Sequence, residues 1–448
     1  MHIEPQPQTA PSARQELRMD SAQQRVFDIG KWVIGAALVG AMIWGWNWLA
    51  SQSRLEPIRV GILHSRTGAM AISENSMVDG ELLAIEEINA SGGLLGRMIQ
   101  PVIADGKSDW PTFASEAERL IRDQKVCTIF GCWTSASRKT VKPVIEKYDH
   151  LLVYPMAYEG LEQSPNIFYT GAAPNQQIIP AVKWSSDKIG KKFFLVGSDY
   201  IWPHSINAII KDMLPTLGAE AVGEAYIFFG SSNVQGVIER IKQAQPEVIF
   251  SSVVGDSNIA FFKALREAGI TADKIPVVSM AISEDELRKL PIADLVGHYS
   301  AWNYFQSIPR SENTDFVGRF KRRYGADRVT SDVIESAYMS VQLWAQAVRE
   351  CGSADLESVR TALIGQSFNA PEGVVSIDPT TQHTWRSFSV GQIRPDGQFD
   401  IVWTAQKPIR PVPYPLSRSK AEWDTFLNDL YVRWNGNWAN PIETGETK

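Results

Sequence analysis

Residues 247–265 read EVIFSSVVGDSNIAFFKAL. The opening EVIFSS is a short run of strand character, and Ile259, Phe262 and Leu265 follow at helical spacing. Between them, Gly255-Asp256-Ser257-Asn258 forms a polar turn, so the stretch reads as strand, loop and helix. The same unit recurs along the chain. Candidate strands are IRVGIL (58–63), VCTIF (126–130), HLLVY (150–154), FFLVG (193–197) and PVVSM (276–280). Helical periods lie between them: Val78, Leu82, Ile85 and Ile88, closed by Gly92-Gly93, then Phe113, Ala117, Leu120 and Ile121. Apolar strands alternating with helices predict parallel sheets covered on both faces. About 350 residues of this pattern exceed one core, so two doubly wound α/β lobes are expected.

The 448 residues carry 44 Lys+Arg against 50 Asp+Glu, a net charge of −6, spread along the chain. That balance argues against a nucleic-acid partner. Cys127, Cys132 and Cys351 are odd in number and lack CxxC spacing, which removes a disulfide framework and a cysteine zinc site. Residues 32–50, WVIGAALVGAMIWGWNWLA, carry no charge and are long enough to span a bilayer. A cleaved signal peptide is the competing reading, but its apolar core is shorter and ends in small residues. Arg14, Arg18, Arg25 and Lys31 precede the span, while Trp44, Trp46 and Trp48 lie near its exit. An uncleaved anchor is therefore expected, with residues 1–31 as a cytoplasmic tail and the rest in the periplasm, outside the inner membrane.

In doubly wound sheets ligands sit beyond the carboxyl ends of the strands. Those ends read Gly131-Cys132-Trp133-Thr134-Ser135, Pro155-Met156-Ala157-Tyr158-Glu159-Gly160, Ser198-Asp199-Tyr200-Ile201-Trp202-Pro203 and Gly255-Asp256-Ser257-Asn258. No phosphate loop, dinucleotide fingerprint, nucleophile elbow or HExxH accompanies them. The six histidines, His2, His64, His150, His204, His298 and His383, are scattered. An enzyme, a metal and a cofactor are accordingly not expected.

The segments FGCWTSASRK (130–139), YPMAYEG (154–160), SPNIFYTGAAPNQQ (164–177), FFLVGSDYIWP (193–203) and VVGDSNIAFFK (253–263) resemble the urea and short-chain amide substrate-binding proteins of ABC transporters. These are type I periplasmic binding proteins of the leucine/isoleucine/valine-binding superfamily. The resemblance spans roughly 57–415, including EGVVSIDPTTQH (372–383) and GQFDIVW (397–403). It implies a bilobed clamp with three crossovers: lobe 1 from 57–173 plus about 302–360, lobe 2 from 174–301 plus about 361–405. It places a pocket on Trp133, Thr134, Ser135, Tyr154, Met156, Tyr200, Trp202 and Asp256, to which the strand-end list adds Tyr158. A related cytoplasmic amide sensor has tyrosine and threonine where this chain has Trp133 and Met156, which favours the transporter branch. Relatives usually carry Phe or Tyr where Trp202 stands.

Urea and short amides are planar and neutral, with N–H donors and one carbonyl. A dry pocket must answer each of them, because an unpaired buried polar group costs about 1–3 kcal/mol. Asp256 suits an NH₂ edge, Thr134 and Ser135 suit the carbonyl, Tyr200 suits either, and the rings of Trp133, Tyr154 and Trp202 suit the faces. Blander readings stand beside these. Trp133 and Trp202 would plug the cleft base, Tyr154 would be core, Asp256 would only cap the next helix, and Glu159 would support rather than touch a ligand. The expected partner is an ABC permease, or else a membrane signalling protein. After a Pro-rich linker, Trp423, Phe426, Leu427, Leu430, Tyr431 and Trp434 form one helical stripe in 406–448. Either it packs back on a lobe or it docks on a partner or membrane.

Overall fold

The computed structural model describes residues 37, 39–44 and 56–441. The expected tail, 1–31, and most of the expected anchor, 32–50, lie outside them. Residues 37 and 39–44 are helical, and no helix among the described residues is long and apolar enough to cross a membrane. The chain divides into Met1–Glu56 and Pro57–Lys448, and all the strands of the described residues lie in the second unit.

Five strands build the first sheet: β1 (Ile58–His64), β2 (Ile99–Asp105), β3 (Ile129–Gly131), β4 (Leu152–Tyr154) and β5 (Ile167–Tyr169), in the order β2-β1-β3-β4-β5. Every pairing is parallel, with Ile62 between Ile103 and Phe130. Six of the seven residues of β1 are buried, as a strand covered by helices on both faces requires. His150, expected to open β4, instead bonds the Val126 carbonyl through Nε2 at 2.8 Å. The ladder therefore starts two residues later.

The second sheet takes β6 (Lys192–Ser198), β7 (Glu220–Ile227), β8 (Val248–Ser252), β9 (Val277–Ser279) and β10 (Tyr299–Trp302) from the middle of the chain. Two late strands, β14 (Ser389–Ile393) and β15 (Phe399–Thr404), add an antiparallel edge, giving the order β15-β14-β10-β9-β8-β6-β7. Between β10 and β14 the chain returns to the first sheet. Helix Asp332–Cys351 crosses helix Ala71–Ala90 so closely that a Cβ on Gly80 would lie 2.5 Å from the Ile334 carbonyl oxygen. Arg319, Arg323 and Arg328 of this segment pair with Glu87, Glu86 and Asp79.

The short strands β11 (Ser367–Ala370), β12 (Gly373–Ile377) and β13 (Thr384–Trp385) form an antiparallel sheet of their own. Its end bridges to the first sheet, Tyr169 to His383. The expected second lobe takes about 361–405 as one piece, whereas 367–385 bridges to the first sheet and 389–404 joins the second. Periodicity could not assign these strands, because two- to five-residue runs carry too little pattern.

The chain passes between the sheets three times, near 170–177, 303–310 and 386–388, and the passages are laced together. Asn303 Nδ2 donates to the Gln176 carbonyl at 3.1 Å and to that of Ser387. Arg386 Nη1 donates to the Thr170 carbonyl at 2.8 Å and to Ser336 Oγ at 2.7 Å. Its guanidinium also pairs with Glu372 and Glu335, all of them buried.

The C-terminal arm lies back on the body. Helix Lys420–Arg433 starts with a capping box of Ser419 and Glu422 and packs on helix Ile201–Met213. Trp423, Leu427, Leu430 and Trp434 are buried, and full burial of each such side chain is worth roughly 1.5–3 kcal/mol. Arg418 grips Asp212 through two bonds of 2.7 Å. Upstream, the Pro413 carbonyl accepts from Leu161 N at 2.8 Å. Downstream, the Lys139 ammonium sits 5.0 Å from the Trp438 ring, while Ile201 N donates to the Trp438 carbonyl at 2.9 Å.

Candidate solute-binding site

At the end of β3 the backbone turns through Gly131 (φ 149°) and Cys132 (φ 63°). A Cβ on Gly131 would fall 2.1 Å from the Leu63 carbonyl oxygen, so the tight turn depends on glycine. It delivers Trp133, whose carbonyl accepts from the Tyr154 hydroxyl at 2.8 Å. Thr134 Oγ1 then caps helix Ser135–Lys147 by accepting from Ser137 N at 3.0 Å. After β6, Tyr200 and Trp202 enter helix Ile201–Met213 with ring centres 6.3 Å apart. Tyr200 meets Phe229 edge-on at 5.6 Å, and Phe229 meets Trp110 of the first-sheet side at 5.4 Å. The two halves are therefore in contact. A Cβ on Gly255 would lie 2.8 Å from the Ala69 carbonyl oxygen, and Lys289 Nζ donates to the Ile72 carbonyl.

Two buried charge clusters adjoin these loops. In one, Arg138 stacks over Tyr154 and Tyr158, 4.8 and 4.4 Å from their ring centres. It pairs with Glu159 at 2.9 Å and Glu162 at 3.0 Å. Ser135 Oγ donates to Glu159 and accepts from Arg138, while Lys139 reaches Glu162 at 3.1 Å. Burial opposes the Glu162 charge, but Arg138 and Lys139 hold its carboxyl well below the usual range. In the other cluster, His64 Nε2 meets Glu81 Oε1 at 3.0 Å and Nδ1 lies 3.7 Å from Glu74 Oε2. That Glu74 oxygen accepts from Ser65 N at 2.6 Å. Burial would discharge His64, yet the Glu81 and Glu74 carboxylates outweigh it and lift the ring to about 9, so it is a cation at neutral pH.

Of the nine predicted residues, eight are buried: Trp133, Thr134, Ser135, Tyr154, Met156, Tyr158, Tyr200 and Trp202. Their hydrogen bonds separate them. Thr134 is occupied as a cap, Ser135 by Glu159 and Arg138, Tyr154 by the Trp133 carbonyl, and Tyr158 by His383. The indole Nε1 groups of Trp133 and Trp202 are buried and find no partner among the described residues. Asp256 stands apart from the other eight. It is exposed, and as the residue preceding helix Ser257–Glu267 it makes no side-chain capping bond. Gly255 at φ 64° turns the loop so that the next two side chains, Ser257 and Asn258, face inward instead. Ser257 Oγ and Asn258 Oδ1 are buried without a partner among the described residues, as is Glu74 Oε1.

Glu74 and Asn258 are not among the nine predicted residues, although Asn258 closes one of the strand ends read from the sequence. The strand-end rule that located the other loops applies equally to His64-Ser65 after β1, and Glu74 stands in the first turn of the helix that follows. The site's two halves feel one another electrostatically. Burial first, then Tyr154, Glu159 and Glu74, push the Tyr200 phenol well above its ordinary value, with Arg138 opposing. Burial, followed by Glu74, likewise raises the Cys132 thiol, leaving it protonated and packed.

A family model described as a periplasmic binding protein domain matches residues 58–420. The chain belongs to that family. Among relatives of this periplasmic binding protein, the leucine-, isoleucine-, valine-, threonine-, and alanine-binding protein of Pseudomonas aeruginosa is 23% identical over 72% of this chain and 86% of its own. A 117-residue stretch is 38% identical to a protein named limonene hydroxylase from Geobacillus stearothermophilus. It covers 26% of this chain and 21% of that relative. Among solved structures, a solute-binding protein of an ABC transporter from Rhodopseudomonas palustris, in complex with 3,4-dihydroxybenzoic acid, superposes with a TM-score of 0.69 at 22% identity. The match covers 77% of this chain and 95% of that one, and it is a likeness of fold.

Proposed function

We propose that this periplasmic binding protein serves an ABC transporter as its extracytoplasmic solute receptor. Residues 32–50 hold it to the inner membrane, and it closes on urea or a short-chain aliphatic amide. One lobe comprises 57–173 with roughly 303–386 and the other 174–302 with about 387–405, on the division of the strands. The observation that carries the reading is the pair of buried, unpartnered indole N–H groups, Trp133 after β3 and Trp202 after β6. Two donors from opposite sheets suit a carbonyl oxygen, and buried donors left unmade cost about 1–3 kcal/mol each. A solute that answers both therefore stabilises the form in which the halves meet. The resemblance of the GCWTS and GDSN loops to urea- and amide-binding receptors supports the same solute class.

The role is binding without chemistry: the clamp closes, a permease reads the closed form, and the solute leaves unaltered. A tether would raise the receptor's effective concentration at that permease. A signalling partner reading the same closed form is the second reading, since the tether serves it equally. Calorimetric titration of the full chain in mild detergent tests the proposal, with urea, acetamide, formamide, leucine and 3,4-dihydroxybenzoate. Saturable heat with urea or an amide and none with leucine is the expected result. Leucine or the benzoate binding alone would move the receptor to another solute class, and conversion of the solute would make it an enzyme.

A further inference from the structure

We infer that Glu74 reads the N–H edge of the solute and shuts carboxylate solutes out of the cleft. The inference rests on the amide reading above and names the residue that sets its selectivity. Glu74 is fully buried in the first turn of helix Ala71–Ala90, directly after the loop whose Ala69 abuts Gly255 of the other half. Its two oxygens differ. Oε2 is fixed by Ser65 N at 2.6 Å and faces His64, whereas Oε1 has no partner among the described residues. A carboxylate held on one side and free on the other is a preorganised acceptor.

Across the site, Asn258 repeats the pattern. Its Nδ2 donates to the Val253 carbonyl at 2.9 Å, which fixes the amide orientation and leaves Oδ1 unpartnered. Trp133 and Trp202 each leave an indole donor, and Glu74 and Asn258 each leave an acceptor, unpartnered among the described residues on loops at the strand ends of the two halves. That set complements a group with one carbonyl and an NH₂, as in an amide or urea. The charge count points the same way. Among the described residues His64 is the one basic partner of two acidic side chains, Glu74 and Glu81, so acids outnumber bases in this cluster. A benzoate or acetate would bring a second anion to it and lose the N–H that Oε1 requires.

Acetamide and acetate have nearly the same shape and differ in charge and in that N–H, so they isolate the claim. Affinities for both are measured by calorimetry on the full chain, with a thermal melt of each variant as the folding control. The wild-type protein should prefer acetamide by ~100-fold or more. Glu74→Gln keeps an acceptor for Ser65 N but removes the charge, and should narrow that preference by ~10-fold or more. Asn258→Asp adds charge on the opposite wall and should widen it. If wild type binds acetamide but both variants fold and keep its ratio, Glu74 is not the selector and the amide reading survives. If wild type binds no amide or urea, that reading falls and this assignment with it.

Discussion

Two buried ion clusters sit side by side at the ends of the first sheet's strands, and they differ in completeness. Around Arg138, Glu159 is engaged by Ser135 and Arg138, and Glu162 by Arg138, Lys139 and Tyr169. Around His64, Glu74 and Glu81 each keep an oxygen without a partner among the described residues. A complete network rigidifies a lobe, whereas an incomplete one at a strand end is poised for something that completes it. Burial alone does not separate the two roles, since both clusters are almost entirely hidden from solvent.

The largest effect expected from this contrast is on stability. Arg138→Met takes the guanidinium away from two buried carboxylates, leaving Lys139 as the one cation paired with them among the described residues, and should cost about 3–5 kcal/mol. Guanidinium unfolding measures it cleanly, because urea is the candidate solute. A loss below about 1 kcal/mol would mean that the Arg138 network is not the structural one.

His64 gives the next. Its folded pKa of about 9 lies above the ordinary histidine value of 6.5, so its contribution is complete below about 6.5 and is lost as pH rises through about 9. The full amount is on the order of 3 kcal/mol at 1.36 kcal/mol per pKa unit. Glu284, raised mainly by burial to about 8, adds its own decline from the ordinary carboxyl range upward. The His64 share is read as the difference between Glu284→Gln and the double variant with His64→Gln. Equal slopes in both would show that His64 carries no buried charge.

Smaller effects should appear in binding. Trp133→Phe and Trp202→Phe keep a ring but lose a donor, and each should weaken amide binding by about 1–3 kcal/mol, or roughly 5- to 150-fold. Unchanged affinity would make the indoles mere walls. Asp256→Asn should change affinity by less than about 0.5 kcal/mol, since its carboxylate faces solvent. A tenfold loss there would return Asp256 to the site.

Much of the fold is legible in the sequence because continuous apolar strands announce a doubly covered parallel sheet. Strands β2 and β7 escape because each lies at a sheet edge, half-buried, and Pro101 breaks the pattern of β2. The site is legible as a set of loops and not as a set of contacts. Which way a side chain points after a strand depends on one or two backbone angles. Gly255 turns Asp256 out and Asn258 in, and no periodicity encodes that. Tyr158 reads as a strand-end aromatic like Tyr200, yet it stacks on Tyr169 at 5.1 Å and bonds His383, more than two hundred residues away. The C-terminal stripe was plain from its spacing, and the body that receives it was not.

The arm also sets an amplitude. Pro413 is fastened to Leu161 on one half and Arg418 to Asp212 on the other, with five residue steps between them. A fully stretched run of that length reaches on the order of 17 Å. Moving the two anchor points further apart than this would break one fastening. The arm is therefore a strap of fixed length between the halves, stiffened by Pro413 and Pro415.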